Sequence, residues 1–299
     1  MNSESHPSSQ PSRPSWQLPP GVSKGAWDYV TQAYIAGQYD EFHRGHPLLE
    51  LDRQLVLDTA DAIESDLARG GDTPDFPIAI DLGCGTGRTL LPLLDRGWRT
   101  IGVDLSPAML QETARKCDLE QPESRSSMAL VHGNLAQLDF LTDHSLHLAT
   151  CLYSSIGMVQ GRKHRCRVFE HVARALRPEG RFIVHVHNRG IWVRDPGGLL
   201  RMVRDRVRSL TDPVWEFGDR VYAYRGLPSM FLHIYSEQEL RNDLIRSGFR
   251  IQRVLPLNIT SSGPLSFPWW LRSFRAGGFF AIASHDQRVP KALEQPDRR

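Results

Sequence analysis

The residues best suited to chemistry form a short run, Asp81-Leu82-Gly83-Cys84-Gly85-Thr86-Gly87, and a second acid, Asp104, follows 23 residues after the first. Glycines at this spacing let the backbone turn tightly and let a ligand approach the main chain closely. A P-loop would need a Lys that is absent here. The dinucleotide fingerprint would need a last glycine where the chain has Arg88, so a ligand without a pyrophosphate is expected. An acid at the tip of the next strand can accept both hydroxyls of a ribose, which assigns that task to Asp104. His185 and His187 alternate with apolar residues and so share one strand face. Imidazole titrates near neutrality, which makes either a candidate general base, His187 ahead of the deeper His185. The four cysteines, Cys84, Cys117, Cys151 and Cys166, show no CxxC pair and no His at zinc spacing, so neither a disulfide scaffold nor a metal site is expected.

Alternating strands and helices position these residues. Strands are expected over 78–82, 100–104, 128–132, 146–152 and 181–187, with helices over 87–96, 107–117 and 163–176 between them. This rhythm implies βαβ units and a parallel sheet. Open α/β sheets bind ligands beyond the carboxyl ends of their strands. Tyr153, Ser154 and Asn188 follow strands four and five and are the expected acceptor contacts. A stretch over 190–235 breaks the rhythm and reads as an insertion, with an amphipathic segment 199–210 that carries Arg201, Arg204 and Arg208 on one face. Ser236 with Glu239 makes a capping box for the next helix, and strands over 249–257 and 277–284 complete the pattern. The intervening Trp269-Trp270 loop is expected to pack on the sheet edge.

The 299 residues carry 36 Lys+Arg against 34 Asp+Glu, too balanced for a protein that holds nucleic acid by bulk charge. No apolar stretch reaches the ~18–20 residues of a membrane span, and nothing resembles a secretion signal, so a cytoplasmic protein without membrane contact is expected. Residues 1–24 hold five prolines and seven serines and are expected to be a disordered tail. Residues 25–76 should form an N-terminal helical lid, 77–285 the main domain with 190–235 as a substrate cap, and 286–299 a flexible tail.

The chain resembles the class I S-adenosylmethionine-dependent methyltransferases, and the methyltransferase-type-11 group in particular. The matching stretches are 80–87, Val103-Asp104-Leu105-Ser106-Pro107-Ala108-Met109-Leu110, 131–135 and Leu176-Arg177-Pro178-Glu179-Gly180. The resemblance implies a Rossmann-like, doubly wound, mostly parallel seven-stranded α/β sheet whose final strand is antiparallel. It implies S-adenosylmethionine as cofactor, S-adenosylhomocysteine as product, and no metal. Asp81 would lie near the methionine amino group. Gly83, Cys84, Gly85 and Gly87 would line the amino-acid and ribose portions, and Asp104 would hold the ribose. Leu105 and Met109 would flank the adenine, with Asn134 and Leu135 at its edge and Asn134 in place of the commoner Asp. Cys151 would pass near the methionine portion, and Tyr39 would cover that end of the cofactor.

The family motifs leave the acceptor open. The Asn-Pro-Pro-Tyr type motif of amino-methylating DNA and protein enzymes is missing. No DxxD-type cluster marks a divalent metal. The segment 231–235 faintly resembles the tRNA wobble-uridine carboxylate methyltransferases, which keeps a tRNA substrate as the alternative. The leading expectation is N- or O-methylation of a small molecule by a monomer or homodimer.

Overall fold

The computed structural model describes residues 18–70 and 76–286. Four helices come first, α1 (Lys24–Val30), α2 (Ala33–Gly37), α3 (Tyr39–Phe42) and α4 (Pro47–Gly70). A strand-helix alternation follows through β1 (Ile78–Leu82), α5 (Leu90–Asp95), β2 (Arg99–Asp104), α6 (Pro107–Glu120), β3 (Met128–His132), β4 (Leu146–Cys151), α7 (Arg162–Ala175) and β5 (Leu176–His187). After a 3-10 turn come α8 (Gly198–Thr211), β6 (Asp219–Tyr224), β7 (Leu227–His233), α9 (Glu237–Arg246), β8 (Phe249–Leu257), α10 (Arg272–Arg275) and β9 (Gly278–His285).

The seven-stranded sheet has the order β3-β2-β1-β4-β5-β9-β8. β1 to β5 pair in parallel, and the final strand β9 runs antiparallel between β5 and β8, which matches the expected fold class. The central strand β4 is buried along its whole length, as expected for a parallel sheet covered on both faces. On one face Val168, Phe169 and Val172 of α7 pack with Phe182 and Phe249. On the other, Leu48, Val56, Ala60 and Ile63 of α4 pack with Trp98, Leu148 and Phe280. Helix α4 is thus part of the core, because its apolar residues recur at helical spacing on one side.

Several boundaries differ from the sequence reading. Residues 1–17 and 287–299 lie outside the described residues, so most of both expected tails does too. The boundary at residue 24 falls within placed chain. Ser23 caps α1 through Ala26 N–H, Val22 bridges Val159, and Gln160 N–H donates to Gly21 O. Helix α5 starts at Leu90 rather than residue 87, because the glycine turn occupies 83–89. Trp269 and Trp270 are 80% and 55% exposed rather than packed on the sheet edge.

The 190–235 stretch forms α8 and the β6–β7 hairpin, which stands apart from the main sheet. Helix α8 buries only Gly198 and Asp205 and leaves its Leu and Val residues open. The hairpin is fixed to the body by an ionic network. Arg165, fully buried, binds Glu216, the Tyr235 hydroxyl (3.0 Å) and Val159 O (3.3 Å). The His233 ring nitrogens contact Asp219 (2.7 Å) and Glu239 (3.0 Å), and Arg189 pairs with Glu239. Burial alone would raise the Glu239 carboxyl, but His233 and Arg189 outweigh it and bring it to about 2.

Removing one partner of a buried ion pair leaves the other charge uncompensated. Arg165→Leu is therefore expected to cost about 3 kcal/mol of unfolding free energy, read from urea denaturation. A loss within error of zero would show that the network does not hold the hairpin.

Candidate functional site

The glycine turn begins where β1 ends. Gly83 and Cys84 N–H both donate to Val103 O, at 2.8 and 3.1 Å, and fold the loop back over β2. Gly87 has φ +82°, and a Cβ there would lie 2.6 Å from Thr113 Cγ2 on α6. Glycine is the residue that tolerates both conditions. Beneath the turn, buried Asp81 accepts from Thr150 Oγ1 (2.7 Å) and from Thr89 Oγ1. Asp104, at the tip of β2, accepts from Gly85 N–H (2.9 Å) and Ser106 N–H (2.8 Å). Ser106 caps α6, with Pro107 in its first turn, so the second carboxylate is set by a strand end and a helix start together.

These residues line a cavity of about 300 Å³. The structure brings Asp81, Gly83, Cys84, Gly85 and Asp104 to it, with Leu105, Met109 and Leu135 as apolar lining and Asn134 as a polar one whose amide donates to Pro20 O (2.8 Å) and accepts from Ala136 N–H (3.1 Å). Tyr39, Tyr153, Ser154 and His187 line the same space. Tyr153 and Ser154 both adopt left-handed backbone, at φ +52° and +62°. That is a costly conformation for non-glycine residues and recurs at functional sites. Ser154 Oγ is buried and has no partner. Burial, then His46, lowers the pKa of His187, so its ring is neutral and able to take a proton at neutral pH.

Four expected site residues are placed elsewhere. Gly87 shapes the turn and does not reach the cavity. Cys151 lies in the hydrophobic core. His185 is fully buried against the Phe280 ring (5.0 Å), with both ring nitrogens unpaired and its pKa pushed well down by burial. Asn188 is committed to structure, donating to Ser273 O (2.9 Å) and Ala276 O (2.7 Å) while accepting from Gly190 N–H (3.0 Å). It has no spare amide proton for an acceptor. The arginines of α8 do not line this cavity and lie on the surface, where Arg201 pairs with Asp195 and Arg208 with Asp212.

Sequence reasoning missed several lining groups. Arg88 is the sole Lys or Arg among the described lining residues. Its guanidinium donates to Asp52 Oδ2 (2.8 Å) and Leu49 O (3.1 Å) of α4. Burial raises Asp52 to about 7, against the pull of Arg88. Burial likewise raises Asp81 and Asp104. Asp40 of α3 binds Thr86 Oγ1 (2.7 Å) and Lys116, so two N-terminal carboxylates clasp the glycine turn. Gly21, Val22, Ala26, Tyr29 and Val30 close the cavity from the N-terminal side, and Tyr222, Tyr224, Met230 and Leu232 close it from the hairpin. The departure of Arg88 from a glycine fingerprint was the available signal for its role. The hairpin tyrosines had none beyond their aromatic clustering.

Residues 79–180 match the family described as methyltransferase domain. Over 112 residues the chain is 30% identical to dTDP-3-amino-3,6-dideoxy-alpha-D-glucopyranose N,N-dimethyltransferase of Streptomyces fradiae, covering 38% of this chain and 40% of that one. The chain spans about two fifths of the length of the curated relatives it matches. A SAM-dependent methyltransferase from Methanosarcina mazei superposes with a TM-score of 0.54 at 20% identity, over 73% of this chain and 97% of that one. An S-adenosylmethionine-dependent methyltransferase from Clostridium acetobutylicum gives 0.53 at 16% identity, over 85% and 98%. Among the described residues no helix is long and apolar enough to cross a membrane.

A carboxyl raised by burial binds more protons in the folded than in the unfolded chain between its two pKa values. Its contribution to stability therefore falls as pH rises through that window. For Asp52 the window runs from 3.8 to about 7. The stability advantage of wild type over Asp52→Asn should decline from pH 4.5 to 7.5 in parallel denaturation series. A pH-independent difference would place the Asp52 titration outside the window.

Proposed function

We propose that this chain, which carries a methyltransferase domain of the class I fold, is an S-adenosylmethionine-dependent methyltransferase that acts on a small molecule at nitrogen or oxygen. The observation that carries the reading is the shared cavity of the glycine turn and the two strand-tip carboxylates. The residues fit the cofactor. A Cβ built on Gly85 would meet nothing within 4 Å, so the main chain there is open to a ligand. Each Asp104 oxygen takes one backbone N–H and retains acceptor capacity for ribose hydroxyls. Leu105, Met109 and Leu135 offer a slot for the adenine. Arg88, held in place by Asp52, is the available countercharge for the methionine carboxylate.

Bound S-adenosylmethionine supplies a methyl group already activated by its sulfonium charge. What remains for the protein is alignment, exclusion of water and removal of a proton from the acceptor. Tyr153 and Ser154 stand at the β4 tip, where an acceptor would meet the methyl end. Neutral His187 is the candidate base, and Tyr39 covers the site from α3. Within the expected lid, α1 and α3 would cover the site, and within the expected cap the β6–β7 hairpin would close it, while α4 belongs to the core. Together they enclose the cavity and favour a small acceptor, as does the acceptor named for the Streptomyces fradiae relative.

Transfer of label from methyl-labelled S-adenosylmethionine to a metabolite fraction, rather than to RNA, tests this reading. Failure to bind the cofactor would refute it. Asp104→Ala should weaken cofactor binding by about 1–3 kcal/mol by calorimetry. Binding should also tighten as pH rises above the usual carboxylate range, through the titration of buried Asp81 and Asp104. Donors to Asp104 and the ammonium beside Asp81 favour the ionised carboxylates, which burial holds back in the free protein. An affinity that weakens over this range would contradict the assignment.

A further inference from the structure

Five of the chain's seven tyrosines, Tyr29, Tyr39, Tyr153, Tyr222 and Tyr224, line this one cavity. They come from α1, α3, the β4 tip and β6, so only the folded chain assembles them. The Tyr29 and Tyr224 centroids are 6.1 Å apart and tilted by 49°, and Tyr222 and Tyr224 are 6.3 Å apart at 72°. Tyr153 is met edge-on by His43 and His46 at 5.4 and 5.6 Å. None of these pairs is stacked in parallel, so the wall presents both faces and edges.

The rings form the surface of this end, and around them the Arg225 charge acts on Tyr29 and Tyr224, Arg88 on Tyr39 and Tyr153, and the carboxylates Asp104 and Asp52 oppose them. Burial raises all five phenols, Tyr153 to about 12, so each stays protonated and uncharged at neutral pH. The His187 ring is neutral as well. Arg88, held by Asp52 and Leu49, is assigned to the methionine carboxylate of the cofactor and so is not left for the acceptor. Arg225 is not a lining residue. Its guanidinium lies over the Phe42 ring at 4.5 Å and donates to Gln38 (3.3 Å). An anionic acceptor would face the negative faces of aromatic rings, with no cation beyond Arg88 among the described lining residues, whereas a cation is attracted to those faces.

We propose that the acceptor is an amine, its nitrogen held among these tyrosine rings as it becomes positively charged. This rests on the methyltransferase reading. The neutral amine's lone pair forms the N–C bond while the S–C bond breaks with its electron pair on sulfur. The positive charge therefore passes from sulfur to nitrogen and remains inside the ring cage throughout. The ammonium product then gives its proton to His187 and on to water. A hydroxyl gives up its proton as the O–C bond forms, so its oxygen gains less from such a wall than a nitrogen that becomes a full ammonium before its proton leaves.

The probe pair is choline and its uncharged isostere 3,3-dimethylbutan-1-ol, titrated into the full chain with S-adenosylhomocysteine present and followed by ligand-observed NMR. Choline should bind about tenfold more tightly than the alcohol. Tyr224→Phe, which keeps the ring, should preserve that ratio. Tyr224→Leu should reduce it to below about threefold. Equal binding of the two probes by wild type would overturn the proposal, whatever the variants do. So would a ratio that Tyr224→Leu leaves unchanged while cofactor affinity is retained. If Tyr224→Leu is misfolded, Tyr222→Leu provides the same comparison on a 40% exposed residue. Cofactor affinity, measured separately on the same protein, shows whether the methyltransferase reading has failed instead.

Discussion

Three carboxylates are buried around one guanidinium that pairs directly with a single one of them, and the site is organised around that imbalance. Asp52, Asp81 and Asp104 are each raised by burial, and Arg88 is the cation among them. Asp81 is held by two threonines and Asp104 by two backbone amides, whereas Asp52 has Arg88 on one oxygen and leaves Oδ1 buried without a partner. Unpaired charge in such a setting is costly. A ligand that brings cationic and hydroxyl groups to the same cavity offsets that cost, so the carboxylates give the site its preference as well as its geometry.

The same constraint ties the N-terminal helices to the sheet. Asp52 reaches from α4 to Arg88, and Asp40 reaches from α3 to Thr86 and Lys116. Ser106 Oγ donates to Val30 O at 3.0 Å, and the Tyr34 hydroxyl donates to Arg225 O in the β6–β7 turn at 3.2 Å. The glycine turn, the N-terminal helices and the hairpin are therefore linked by polar contacts around one cavity.

What could be read from the sequence was what is local. The glycine turn, the acid at the next strand tip, Ser106-Pro107 and the Ser236 cap are set within a few residues, and the structure has each of them. Glu239, however, turns its carboxylate to His233 and Arg189 rather than closing the expected capping box. Partners far apart in sequence were not legible. Asn188 looked free at the end of β5, yet chain 85 and 88 residues further on takes its amide protons. His185 shares its strand face with His187, but the Phe280 ring on antiparallel β9 covers it. Spacing could not reveal that tyrosines from four separate elements meet, nor that Arg88 answers an acid 36 residues before it.

The most direct measurement is the environment of the transferable methyl group. S-adenosylmethionine carrying a 13C-methyl label, bound to the full chain, should give nuclear Overhauser contacts from that methyl to tyrosine ring protons, with Tyr153 and Tyr39 confirmed by substitution. Saturable binding with methyl contacts to aliphatic protons alone would contradict both the orientation of the cofactor and the role of the tyrosine-lined chamber.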